Sequence, residues 1–357
     1  MQQHQIKTPT LADYPPFAAV RPLSTAEQEL ILHFVHHHAR GSIAYSALQA
    51  GLDYFVDEQL GCLAFMPLTH AIFARGGLHV VIGDPIAAVE DYEAILDRYL
   101  AQTTVAATVF LEVSQDFAKI LSARGYPVNE LGVEWELDLQ EFDFDLPGQD
   151  YSHLRRWRNK AQKSGVEIFE GRISELVREC GDELDELNRE WLKRKGGHEF
   201  VGLTRPLSVD DHPLARYFWA KKDGRLISLA IFDPMLHEGH AFGYLHNLSR
   251  TLADAPHGTN DLLVLKAMEK FKAEGREVLS LGLSPFAELT DADYPSNPVG
   301  AGLFRFMYEH CQFVYPFKGN YFHKEKYRGR SFKAYISAVP ALNLYRILGV
   351  FKAAQVL

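Results

Sequence analysis

The sequence has little cysteine. Its three residues, Cys62, Cys180 and Cys311, are odd in number and far apart. That excludes a disulfide framework and a cysteine-based zinc site, and points to a reducing compartment. No apolar run is long enough to cross a bilayer, and no basic stretch followed by an apolar one opens the chain, so no secretory leader is expected. A cytoplasmic location is the resulting expectation. Several catalytic signatures are also missing: GxSxG, HExxH, the phosphate-binding GxxxxGK[ST] and the dinucleotide GxGxxG. Nor is there an excess of positive charge. A formal net charge of -9 argues against a surface coated in nucleic acid, although binding depends on where the charge lies.

Apolar residues make up 47% of the chain and aromatics 12%, enough to build sizeable cores rather than a disordered chain. The length favours two domains. Residues 1–23, rich in Pro, Gln and His, read as a loosely ordered lead-in. Residues 24–140 read as a first α/β unit, with a helix from Thr25 carrying Leu30, Ile31, Phe34 and Val35 on its apolar side. A strand meander over 61–86 follows, then a helix (88–100), a strand (107–113), a helix (114–123) and a strand (128–139). His36, His37 and His38 are consecutive on the first helix and point in different directions, so no metal site is assigned there.

The acidic, proline-containing segment 141–150 is the expected linker. Residues 151–336 read as a second unit. It begins with a basic helix (152–164), a strand (166–171) and a helix (173–194). Strands at 214–221, 225–234 and 239–247 follow, the first two joined by the hairpin signal Asp223-Gly224. A helix near 301–314 and a Tyr/Phe/Lys-rich segment (315–336) end the unit. In the tail, 337–357, an amphipathic helix over 341–354 is expected to pack on the protein's own core, with a membrane surface as the alternative.

The chemistry centres on residues 244–285. Asn247, Arg250, Asp254 and His257 are expected in a polar loop that ends at Gly258. Leu262, Leu265, Met268 and Phe271 recur at helical spacing after it. The first N–H groups of that helix lack intrahelical partners, so the loop is a candidate site for an anion or a carbonyl oxygen. Two runs concentrate positive charge: Arg155, Arg156, Arg158, Lys160 and Lys163 without an acid, and residues 318–333 with Glu325 as the only acid.

The order of elements suggests an α/β fold of mixed sheets, with two tandem acyltransferase (GNAT-like) domains. Acetyl-CoA-using members of that class cradle pyrophosphate with [RQ]xxGx[GA], and the equivalent loop here, DAPHGTND at 254–261, does not match it, so coenzyme A is not the expected donor. The second half resembles the catalytic domain of the aminoacyl-phosphatidylglycerol synthases, and further pieces match in order over most of the chain. GDP at 83–85 and GVEWELDL at 132–139 resemble strand motifs of the first domain. LRRWRNKAQKSGVEIFE at 154–170 and LNREWLKRKGG at 187–197 resemble the family's basic helix, the strand after it and the next helix. NLSRTLADAPHGTNDLL at 247–263 resembles DLMRxxPDAPNGVMDFL, and LSLGLSPFAEL at 279–289 resembles NLGMAPLAGL. YPFKGNYFHKEKY at 315–327 resembles the closing motif.

The resemblance implies a standalone soluble form of an enzyme that moves an amino acid from aminoacyl-tRNA to a lipid hydroxyl, phosphatidylglycerol or another lipid. No metal or cofactor is implied beyond aminoacyl-tRNA as co-substrate. It implies catalytic roles for Asn247, Arg250, Lys324 and Lys326, and substrate binding by Tyr244, His257, Gly258, Asp261 and Ser284. Arg155, Arg156, Arg158 and Lys160 become candidate contacts for tRNA or anionic lipid at a membrane surface. Asn247 stands where the family has aspartate and cannot take a proton as a carboxylate would. The alternatives are transfer to a small molecule, an acyl-CoA-dependent N-acyltransferase, and an inactive lipid- or partner-binding protein. For Arg250 the structural alternative is an ion pair with Asp254 or Asp261. For Lys324 and Lys326 it is a solvated face. Which amino acid is carried, and the oligomeric state, stay open.

Overall fold

The computed structural model describes residues 9–69, 74–194 and 205–354. Helix α1 (Thr25–His38) starts where Ser24 and Glu27 form a reciprocal capping box, satisfying donors that a helix start leaves open. The N-terminal half continues with β1 (Asp53–Asp57), β2 (Gly61–Leu68), β3 (Leu78–Ile82) and the short β4 (Ile86–Ala87). Then come α2 (Tyr92–Gln102), β5 (Ala107–Val113), α3 (Gln115–Ala123) and β6 (Val128–Asp138). The C-terminal half builds α4 (Ser152–Lys163), β7 (Glu167–Gly171), α5 (Ile173–Arg194), β8 (Arg216–Lys222) and β9 (Arg225–His237). It continues with β10 (His240–Thr251), α6 (Thr259–Ala273), β11 (Val278–Pro285), α7 (Pro298–His310), α8 (Phe317–Glu325), β12 (Arg330–Val339) and α9 (Leu344–Ala353).

The two halves repeat one plan. An antiparallel meander, β1 to β3 in one half and β7 to β10 in the other, ends in a strand that crosses through a helix to a parallel neighbour. The crossings run from β3 to β5 and from β10 to β11. The last strand of each half is exchanged. β12 pairs with β5, β6 pairs with β11, and β6 and β12 pair with each other. The result is one 12-stranded sheet in the order β1-β2-β3-β5-β12-β6-β11-β10-β9-β8-β7, with β4 paired to β2. This is the mixed α/β, tandem acyltransferase-like architecture expected from the sequence.

Three local expectations are corrected. The strand expected to end at 247 runs on to Thr251, because Leu248 to Thr251 pair with Ile231 to Ser228 of β9. Asn247 and Arg250 therefore sit on a strand and not in a loop. The helix expected at 301–314 starts at Pro298 and stops at His310. Asn297 caps its amides and Pro298 supplies a first-turn residue that needs no donor. The Tyr/Phe/Lys-rich segment 315–336, to which the sequence assigns no secondary structure, holds the helix α8 and most of the strand β12. Of the meander segment 70–77, residues 70–73 lie outside the described residues, as do 195–197 of the motif at 187–197 and the tail residues 355–357; 74–77 form a turn and no strand. Helix α9 buries Ile347 and Val350 against the core, as the tail was expected to do.

Candidate active site

The parallel ladder of β10 and β11 is short. It joins Gly243 to Leu245 with Val278 to Ser280 and then stops, although both strands run on. β11 bulges between Ser280 and Gly282, and β10 between His246 and Leu248. Gly282 has φ +73, and a Cβ there would lie 3.2 Å from Leu245 and 3.8 Å from Lys324 Nζ. Bulges re-aim side chains and end regular pairing. The space between the strands is a cavity of about 300 Å³. Its walls are mostly apolar, with Leu131, Leu245, Phe304, Met307, Phe317 and Ile347 among them. Half-buried Val314, Tyr315 and Phe351 mark where it meets solvent.

The polar lining of this cavity includes Glu112, His246, Asn247, Ser249, Asn320, His323 and Lys324. Lys324 is buried, its ammonium donating to the Leu283 carbonyl. Burial pulls its pKa down to about 8, while Glu112 and Glu134 pull the other way. Glu112 is the extra residue of a bulge in β5, between the pairs Leu111–Ile336 and Val113–Tyr335, and holds a positive φ of 60°. Burial, with Glu134 beside it, raises Glu112 well above the usual carboxylate value. Burial also raises Glu134, although its carboxylate accepts from Ser42 Oγ.

Glu112 faces a second, polar cavity of about 750 Å³ as well, lined by Asp84, Asp116, Glu134, Glu136 and Asp293, with Arg40 and Lys333 as its cations. Burial lifts Asp84 to about 6 there. One apolar and one acidic cavity thus share a carboxylate.

Below Lys324 lies a second buried polar group. Lys326 pairs with Asp261, and both side chains are 5% exposed or less. The Lys326 ammonium also donates to His323 Nδ1 at 2.9 Å and lies 4.6 Å from the Trp157 ring. Tyr327 Oη donates to Asp261 at 3.0 Å. Burial and the two lysines hold His323 well below its usual pKa, so it is neutral. Neither lysine is on a solvated face.

The other candidate residues are placed differently. Asn247 lines the cavity, but its amide grips the backbone of Arg205. Oδ1 accepts from the Arg205 N–H at 3.0 Å and Nδ2 donates to the Arg205 carbonyl at 3.1 Å. Arg205 in turn forks onto Asp233, with Nε 3.2 and 3.1 Å from its two oxygens. Arg250 is fully buried with its guanidinium 4.7 Å from the Trp191 ring. Asp254 and Asp261 pair instead with Arg225 and Lys326. Tyr244 stacks on Phe271 at 4.3 Å, in the core. Ser284 Oγ donates to Asn320 Oδ1 at 3.0 Å, one step behind the cavity wall. His257 stacks on Trp157 at 5.0 Å.

Gly258, at φ +91, abuts α4, and a Cβ built on it would come within 2.2 Å of the Trp157 carbonyl oxygen. The left-handed backbone and this contact both require glycine. Gly258→Ala is expected to destabilise the protein by roughly 2–3 kcal/mol, read as a lower urea midpoint. On α4, Arg155 donates to the Leu146 and Gly148 carbonyls and Arg158 to the Phe144 carbonyl. These two arginines fasten the 141–150 segment, while Arg156 and Lys160 are exposed.

Glu112, Asp233, Ser249, Asn260 and His323 were not singled out from sequence. The two acids carried a usable signal: each is a lone acid within an apolar strand, ATVFLEV and RLISLAIFDPMLH.

The fold and its paired cavities define a tandem acyltransferase-like protein with a buried cation and carboxylates between an apolar and an acidic chamber. The family described as phosphatidylglycerol lysyltransferase, C-terminal, matches residues 33–338, and the chain belongs to it. Phosphatidylglycerol lysyltransferase of Bacillus subtilis (strain 168) is 26% identical over 256 residues, covering 70% of this chain and 28% of that protein. The chain thus spans under a third of that relative. The C-terminal domain of a putative lysylphosphatidylglycerol synthetase from Agrobacterium fabrum superposes with TM-score 0.72 at 21% identity, over 93% of this chain and 97% of that one. L-PGS from Bacillus licheniformis gives TM-score 0.71 at 18% identity, over 92% and 95%. These two likenesses establish the fold. Among the described residues, no helix is long and apolar enough to cross a membrane.

Proposed function

We propose that this protein transfers an amino acid from an aminoacyl-tRNA ester to the hydroxyl of a lipid, with phosphatidylglycerol as the acceptor. The observation that carries this reading is the meeting of the two cavities at Glu112, beside Lys324. The apolar cavity suits the glycerol end and upper acyl chains of a lipid. The acidic one suits the ammonium of an aminoacyl group. An aminoacyl ester is already activated, so the protein needs to align the two reactants and stabilise charge rather than supply its own nucleophile. The acceptor oxygen attacks the ester carbonyl carbon. The bond to the ribose oxygen then breaks, and the acceptor's proton ends on that oxygen. Lys324 as the ammonium stabilises the negative charge that develops. Asn247 acts from the wall itself, its amide held by the backbone of Arg205, and Arg250 acts from behind the wall, through the strand.

The outer surface beside the apolar cavity suits a membrane. Phe306 on α7, Phe313 after it, and Leu344 and Tyr345 on α9 are exposed. Their neighbours Met307, Val314 and Ile347 line the cavity. Aromatic side chains are favoured at the headgroup level of a bilayer. Arg156 and Lys160 are left as contacts for tRNA phosphate.

The test uses purified protein, a panel of labelled aminoacyl-tRNAs and vesicles with or without phosphatidylglycerol. Label is expected in the extracted lipid only when phosphatidylglycerol is present. Absence of lipid label with every donor rejects the proposal, and label without phosphatidylglycerol rejects that acceptor.

A further inference from the structure

A chain of buried and half-buried polar side chains runs from the Asp261–Lys326 pair to the wall of the apolar cavity, and its hydrogen-bond accounting fixes which way each group points. It starts at the ion pair of Asp261 and Lys326. An ammonium has only hydrogens to give, so His323 Nδ1, 2.9 Å from Lys326 Nζ, must accept. A neutral imidazole that accepts at one nitrogen carries its hydrogen on the other. The hydrogen of His323 is therefore on Nε2, which faces the side-chain amide of Asn260.

With the Asn260 nitrogen turned toward His323, at 3.4 Å, two donors would oppose each other. Turning the amide by half a rotation gives both a partner, since its oxygen and nitrogen are nearly the same size. Asn260 Oδ1, which before the turn accepts from Ser249 Oγ, then accepts from His323, and Asn260 Nδ2 takes its place and donates to Ser249 Oγ. Ser249 thus accepts from Asn260, and its own hydrogen is left for something else. Ser249 lines the apolar cavity together with Lys324 and His323.

We infer that Ser249 is a catalytic hydrogen-bond donor, its hydroxyl hydrogen held toward the cavity by the Asp261–Lys326–His323–Asn260 chain to receive the oxyanion of the acyl-transfer intermediate. This rests on the transfer reaction proposed above. When the acceptor oxygen bonds to the ester carbon, the carbonyl oxygen becomes an oxyanion, and Ser249 donates to it. As the ribose oxygen leaves with the proton, the carbonyl re-forms and the bond weakens. Ser249 itself makes no covalent bond and loses no proton. Asn260 and His323 are positioning residues, acting only through Ser249. A preorganised donor in the wall of a largely apolar cavity stabilises such charge without reorganising during the reaction.

Two substitutions test the direction of the chain. Ser249→Ala removes the donor and is expected to lower kcat about 10²-fold at unchanged KM for the lipid. Ser249→Thr keeps a hydroxyl and should retain most of the rate. Asn260→Asp keeps Ser249 but replaces an amide that can give and accept with a carboxylate that can only accept. It draws the Ser249 hydrogen away from the cavity and should match Ser249→Ala, with the double variant no slower than either single one. A wild-type kcat in Ser249→Ala or Asn260→Asp overturns the inference, and so does a rise in KM alone. Nitrogen-15 NMR of His323 in the intact protein reads the chain without any turnover. The Nε2–H tautomer is expected near neutral pH, and the Nδ1–H tautomer overturns the relay. A wild-type protein that labels no lipid would reject the proposed reaction instead, a result separate from the tautomer measurement.

Discussion

Lys324→Met is expected to lower kcat about 10³-fold, the upper end of what one preorganised electrostatic contact contributes. Methionine keeps the length and fills the same apolar surroundings, so the effect should fall on the rate rather than on folding. It also removes the countercharge from Glu112 and Glu134, which already hold raised pKa values through burial. Those carboxyls are then expected to stay protonated, which limits any cost to stability.

The pH dependence separates a charge role from a packing role. Burial holds Lys324 at about 8, so the ammonium is lost as pH rises through that value, and kcat should fall with it. Lys324→Arg, which cannot deprotonate in this range, should give a slower enzyme whose falling limb near pH 8 has disappeared. A limb that persists unchanged in Lys324→Arg would assign it to another group. The same shift has the opposite sign for stability. The folded value lies below the unfolded 10.5, so the unfolded chain binds more protons between about 8 and 10.5. Stability from this group therefore increases with pH across that window. Activity falls where this contribution to stability rises.

How much of this was legible in the sequence follows from the range over which each signal acts. Helix α6 was readable from Leu262, Leu265, Met268 and Phe271 because one face of a helix is a local pattern. The lysine pair at 324 and 326 was found through the order of motifs, and the structure buries both. The exchange of β6 and β12 was not readable, since each strand pairs with partners far away in sequence and nothing local records it. The position of Asn247 and Arg250 was misread for a related reason. Polar residues at 247–251 look like a loop, but β9 supplies a ladder that holds them in a strand. Ser249, Asn260 and His323 come from three different elements and become a unit only when folded. Asp233 and Glu112 are the instructive omissions. A single acid in an apolar strand must be paired, protonated or functional, and these two prove to be paired and raised respectively.

The pairing of Asp233 with Arg205 leads to the largest expected effect on stability. Both side chains are nearly inaccessible, at 0% and 3%. Arginine cannot escape a buried site by losing its proton. Asp233→Asn should therefore leave an uncompensated buried guanidinium and cost about 3–5 kcal/mol, roughly 4–7 °C in Tm for a chain of this size. Replacing both, Arg205→Met with Asp233→Leu, should recover most of that loss, because two apolar groups of similar volume remove both desolvation costs at once. The two proteins should nevertheless differ from wild type at the cavity. Asn247 holds the N–H and the carbonyl of Arg205, so the ion pair fixes the backbone that fixes the amide in the cavity wall. The double variant is expected to melt near wild type and still show a raised KM for the lipid. Denaturant unfolding paired with transfer kinetics distinguishes these effects. A double variant that is both stable and kinetically unchanged would show that the ion pair holds the fold alone and that Asn247 keeps its place without it.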